Sequence, residues 1–145
     1  MENNVPEPWN CFPARKKQAS AQYAELPQWP LKLSKLPTLS PFFHKAHLLI
    51  AADCTAFTYD QFRSKAARGR VVTIGCPDTE GDVILDKLRA IISLNDILSI
   101  RLVRMDAACC QGWVSKIIDL VVHSGKNIPL QITTVFAEGE DVCEA

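Results

Sequence analysis

The stretch His47-Leu48-Leu49-Ile50-Ala51-Ala52-Asp53-Cys54 decides the fold, because Leu48 to Ala52 is the longest unbroken apolar run in the chain. Five residues fall far below the roughly 18 needed to cross a bilayer, so the run reads as a strand. A strand that is apolar on both faces is covered on both faces, which is the habit of a parallel sheet flanked by helices. Working outward, Val71-Val72-Thr73-Ile74 is a second such strand, Ile97 to Val103 a third and Leu130 to Val135 a fourth. The third alternates Leu98, Ile100 and Leu102 with Ser99 and Arg101, which predicts one wetter face.

Helical periods fill the gaps. Thr58 with Gln61 has capping-box spacing, and a first helix carrying Tyr59, Phe62 and Ala66 is expected to stop at Gly69. The second helix has Thr79 and Asp82 at its start and Ile84, Leu88, Ile91 and Ile92 along one face, ending near Asn95. The third runs from about Gly112 to Ser124, packs Trp113, Val114, Ile117, Ile118, Val121 and Val122, and is closed by Gly125. Strand and helix alternation of this length predicts an α/β fold: a small doubly wound parallel sheet of about four strands and three helices.

Residues 1–41 hold seven of the nine prolines and no glycine, so they form a Pro-rich N-terminal arm. Residues 1–25 are expected to be flexible, residues 26–137 to form the single domain, and residues 138–145 to be a solvated acidic tail. From Leu26 on, the arm is rich in apolar side chains, Trp29, Leu31, Leu33, Leu36 and Leu39 among them, and is expected to lie along the body, with Trp29 to Leu33 as one edge strand.

Sixteen Lys and Arg balance sixteen Asp and Glu, which argues against nucleic-acid binding through phosphate neutralisation. The balance is uneven along the chain: residues 1–72 hold ten bases and five acids, residues 73–145 six and eleven. With no apolar leader at Met1 and no span, the expected location is cytoplasmic, away from membranes.

The six cysteines, Cys11, Cys54, Cys76, Cys109, Cys110 and Cys143, then need an explanation other than disulfides, which are rare in a reducing compartment. Cys54 follows the first strand, Cys76 the second, and Cys109 with Cys110 lies in the loop after the third. In a doubly wound sheet these are successive connections at the carboxyl rim, where ligands bind. Soft thiolates suit zinc or an iron–sulfur cluster, and adjacent side chains point apart, so the spacing leaves open whether Cys109 or Cys110 ligates. Buried cysteine also serves as a small hydrophobe, which is the simplest reading of Cys54 or Cys76 taken singly. Cys11 and Cys143 fall in the expected tails.

Other chemistries have weaker support. His44, His47 and His123 are candidate bases for a cysteine nucleophile, but the first two precede the first strand and the third ends a helix, all away from Cys54. No glycine-rich phosphate loop follows the first strand, which argues against a nucleotide or flavin. Asp53 and Asp106 flank the cysteine segments, as turn caps or as hydrogen-bond partners of a bound group, and Trp113 is placed to pack in the core or to shield it.

Leu49-Ile50-Ala51-Ala52-Asp53-Cys54, Ile74-Gly75-Cys76-Pro77 and Cys109-Cys110, with Gln28-Trp29-Pro30-Leu31-Lys32-Leu33 upstream and Ser124-Gly125-Lys126-Asn127-Ile128-Pro129 downstream, resemble one family. It is that of the small iron–sulfur-binding, ferredoxin-associated proteins of anaerobic bacteria and archaea, with their AADC, GCP and PCCGG segments. The likeness covers about Leu26 to Phe136; this chain has Ala108-Cys109-Cys110-Gln111-Gly112 in place of PCCGG and lacks the N-terminal cysteine repeats of many relatives. The resemblance implies one cluster, of the four-iron type, held by Cys54, Cys76, Cys109 and Cys110. It also implies an electron carrier, redox sensor or accessory protein working with a redox partner protein, and no catalytic residue of its own. The alternative is a zinc- or thiol-based interaction module without a cluster. The oligomeric state is left open.

Overall fold

A computed structural model describes residues 26, 28–139 and 141–144, the last four as backbone only. The expected flexible arm, with Cys11, lies outside the described residues.

The elements are β1 (Ala46–Ala52), α1 (Asp53–Thr58), one turn of π-helix (Phe62–Ala66), β2 (Val71–Gly75), α2 (Gly81–Leu94), β3 (Ile97–Met105), α3 (Ala108–His123), β4 (Leu130–Val135) and β5 (Asp141–Glu144). Short 3-10 turns at Leu33–Lys35 and Pro41–Phe43 precede them. One five-stranded sheet has the order β2-β1-β3-β4-β5, with β1, β2, β3 and β4 parallel and β5 antiparallel. The doubly wound α/β expectation therefore holds.

Alternate residues of β1 explain the winding. Leu48, Ile50 and Ala52 join Ile84, Leu88, Ile91, Ile92, Trp113 and Ile117 from α2 and α3 in one core. Leu49 and Ala51 face the other way, against Tyr59, Phe62, Ala66 and Ala67. The first crossover thus covers one face and the next two the other. The direction of winding reverses at β1 and β3, so the topological switch point lies between their carboxyl ends.

Several sequence expectations need correction. The first helix does not start at a Thr58 box: α1 begins at Asp53, Thr58 is its last residue, and the rest of that crossover is the π turn. Helix α3 begins at Ala108, four residues before Gly112, with Ala107 giving no side-chain cap. Ile118 and Val122 are exposed, on the outer side of α3. Nor has β3 a wetter face, since Arg101 is only 5% exposed and donates from Nε and Nη2 to Thr133 Oγ1 at 3.2 and 3.0 Å. A strand between two others and covered on both faces buries its polar residues too.

Residues 141–144, read as solvated tail, instead pair with β4, Cys143 opposite Thr133. The arm segment makes one parallel bridge, Lys32 to Ile74, in place of a strand. Leu33, Leu36 and Phe43 are fully buried under it, whereas Trp29 and Leu39 face outward.

Candidate functional site

The carboxyl ends of β2, β1 and β3 stand side by side, and each leads straight into a cysteine segment. Cys76 follows Gly75 at the end of β2, Cys54 is the second residue of α1, and Cys109 and Cys110 occupy the first turn of α3. Three of the four are therefore in first helical turns, not in loops. Because α1 and α3 leave the switch point toward opposite faces, Cys54 and the Cys109–Cys110 pair flank it.

Their environments differ. Cys54 and Cys109 are exposed, Cys76 is half-buried and Cys110 is buried. Hydrogen bonds from the Thr79 hydroxyl, then from the Thr79 and Asp78 amides, hold the Cys76 thiol below its ordinary range against burial and the Asp53 charge. Burial pushes the Cys110 thiol up, and Cys109 and Cys76 add to that. Cys76 and Cys109 thus both act on Cys110, while the Cys76 thiol is favoured toward ionisation and the Cys110 thiol away from it.

A polar network the sequence did not suggest ties two of these segments together. Lys32 Nζ donates to Asp53 Oδ2 at 2.7 Å and to Glu80 Oε2 at 3.2 Å. That same Glu80 oxygen accepts the Cys76 amide at 2.6 Å. The Asp53 hydrogen bond is the chief cause raising the Lys32 ammonium above its usual range. Burial pushes the Glu80 carboxyl up, but the Cys76 amide, Lys32 and the Ser34 hydroxyl outweigh it and hold it low. Lys32 is delivered by the arm, which the Gln28 side-chain amide fastens to both the amide and the carbonyl of Val72, and Leu31 C=O to the Ile74 amide. Of its members only Asp53, beside Cys54, stood out in the sequence; Lys32 is 21 and 48 residues away from its partners.

The other sequence candidates fall elsewhere. His44 and His47 sit at the opposite rim, and His47 Nδ1 meets Ser99 Oγ at 2.6 Å. His123 Nδ1 is 2.7 Å from Asp119 C=O on its own helix. The Asp106 amide donates to Val135 C=O, so its backbone links β3 to β4. Trp113 is core, 2% exposed.

The donor chemistry of the rim suits a thiolate-bound metal or cluster, since four soft sulfurs lie on three adjoining strand ends. Two polar atoms near these segments are buried without a partner, Trp113 Nε1, one helical turn beyond Cys109, and Asp53 Oδ1, whose charge disfavours the Cys76 thiolate. An indole N–H is a donor a bound sulfur can accept. Among the described residues, however, no three His, Cys, Asp or Glu side chains converge closely enough to hold a metal ion. The residues fit the group in donor type and share one rim of the sheet, but their side chains are not converged.

Residues 40–145 match the family model described as Rossmann-like domain, which is most of the chain. The chain belongs to the Rossmann-like domain family. Gln28 and Lys32 of the arm lie outside the matched residues. This Rossmann-like domain is also similar to an "Uncharacterized protein" of Archaeoglobus fulgidus, 28% identical over 89 residues, 61% of this chain and 62% of that relative. The match thus spans less than two thirds of the relative's length. No solved structure matches the chain. No helix among the described residues is long and apolar enough to cross a membrane.

Proposed function

We propose that this Rossmann-like domain binds one four-iron cluster through Cys54, Cys76, Cys109 and Cys110, and uses it to exchange electrons with a redox partner protein or to sense redox state. The observation that carries this reading is the placement of cysteine segments at the ends of three adjacent strands astride the switch point. The cluster, when bound, supplies reversible one-electron chemistry at iron. The chain supplies the rest. Thr79 favours the thiolate form of Cys76, Lys32 places a cation beside two carboxylates at the rim, and Trp113 offers an unused N–H. Burial of Cys110 shields the inner side of the site from water.

A second reading is a zinc- or thiol-based module: the thiols are not converged, which favours thiol chemistry over a bound metal, and Thr79 eases Cys76 toward the thiolate. The two separate on iron, zinc and acid-labile sulfide per chain and a visible spectrum, measured on protein purified without oxygen. About equal iron and sulfide with absorption near 400 nm supports the cluster, because iron–thiolate charge transfer gives colour and zinc does not. Cys76→Ser should lose most of the iron and sulfide. A well-folded, colourless, metal-free protein refutes cluster binding.

A further inference from the structure

At the amino end of the sheet, opposite the cysteines, a cavity of about 380 Å³ lies between the turn before β1 and the turn before β2. Its ionisable lining consists of bases, His44, Lys45, His47 and Arg70, with Phe42 along one wall and no carboxylate. Arg70 Nε is buried with no acceptor. Its Nη1 reaches the carbonyls of Ala66 and Arg68 only at 3.5 and 3.4 Å. The one charge that acts on this guanidinium is another, Arg101, and both burial and that neighbour make its positive form less favourable. Arg101 itself bonds only a hydroxyl, Thr133 Oγ1.

Two cations packed near each other without a counter-charge are costly, and a buried orphan donor calls for a water or an ion. The backbone adds an independent sign. Lys45 has φ +48°, in the left-handed region that side chains other than glycine rarely adopt. The β1–β3 pairing also slips between Ala46 and His47, beside the same cavity. Strain and bulges of this kind gather where a fold holds a ligand.

We infer that this cavity is a binding site for a phosphate-type oxyanion, with Arg70 as its principal donor, Lys45 as a second cation, and Phe42 packing against the group that carries the phosphate. Arginine suits this task because its planar fork matches two oxygens of one phosphate. The volume exceeds what a bare ion fills and lies in the range of small-molecule pockets. The inference is independent of the cysteine rim.

The test titrates inorganic phosphate and, separately, phenyl phosphate into the full chain at constant ionic strength, by calorimetry and amide NMR shifts. Saturable one-to-one binding is expected, with shifts at residues 45–47 and 69–71. Arg70→Gln should weaken it by about tenfold or more, the loss of a charged hydrogen-bonding pair. Lys45→Gly relieves the backbone at φ +48°, so it should fold at least as well as the parent and still bind several-fold more weakly. Tighter phenyl phosphate identifies an ester as the ligand class, and equal affinities identify the free ion. Non-saturating shifts, binding elsewhere, or binding unchanged in both variants overturns the assignment and leaves water as the partner of Arg70 Nε.

Discussion

Gly75→Ala offers a sharp check on the packing behind Cys76. A Cβ at this position would sit 3.3 Å from Glu80 Oε2, 3.3 Å from Ile84 Cδ1 and 3.4 Å from Leu33 Cδ1. Leu33 and Ile84 are fully buried, so their side-chain ends must shift by a few tenths of an ångström within packed surroundings, and Glu80 is held by the Cys76 amide and Lys32. Overpacking by one methyl in such a place costs about 1–3 kcal/mol. Loosening a charged hydrogen bond adds about 1 kcal/mol, while the stiffer unfolded chain returns roughly 0.4–1 kcal/mol. The net expectation is a loss of about 1–3 kcal/mol, or roughly 2–4 °C in Tm per kcal/mol for a domain near this size. The control is Gly112→Ala, inside α3 with open space around the new methyl, which should be neutral or stabilising by up to about 1 kcal/mol. Both are read by urea unfolding followed by circular dichroism. Equal stability of Gly75→Ala and the parent, at an unchanged denaturant slope, refutes the tight packing of Glu80 against β2.

Glu80 has a lowered carboxyl pKa, so its contribution is present above the unfolded carboxyl range and is lost as pH falls through the folded value. Glu80→Gln should therefore cost roughly 1 kcal/mol at pH 7, a figure reduced by the partial exposure of Lys32, and the gap to the parent should close in melts as pH falls below the ordinary glutamate range and through the lowered folded value. Lys32 has the opposite sign: its raised pKa gives a contribution complete below the unfolded lysine value and lost as pH rises through the folded one, so Lys32→Met should converge with the parent in strongly alkaline melts. Leu88→Ala removes a fully buried side chain and should cost about 2–5 kcal/mol by chemical unfolding. Val122→Ala, on the exposed side of α3, should stay within about 0.5 kcal/mol.

What the sequence revealed follows the strength of local periodicity. The apolar run Leu48 to Ala52 and the stripe Ile84, Leu88, Ile91 and Ile92 each report a buried surface directly, so the sheet class and α2 were legible. The start of α1 was not, because its six residues carry no side-chain cap and the crossover finishes as a π turn. The start of α3 was hidden for a similar reason, with alanine at its cap. Cysteine placement at strand ends could be read once the strands were known. Lys32 could not, since its bonds to Asp53 and Glu80 join residues far apart in the chain. Arg101 misled because strand alternation assumes one open face, and β3 has none. The pairing of residues 141–144 with β4 likewise rests on a partner strand, and acidic composition outweighed it in the reading.

The pairing of β5 with β4 has a consequence for how copies of the chain meet in crowded solution. An open sheet is vulnerable at its two margins, where unpaired amides and carbonyls invite a foreign strand. Here one margin is β5, whose sequence carries Asp141 and Glu144, and charges on an edge strand discourage pairing with another chain. At the other, the side chain of Gln28 imitates a neighbouring backbone by occupying both polar groups of Val72, and the Leu31 carbonyl takes the Ile74 amide. The β2 margin of the Rossmann-like domain is thereby closed to a foreign strand by a side chain and a carbonyl of its own arm, and the β5 margin is marked by acidic residues.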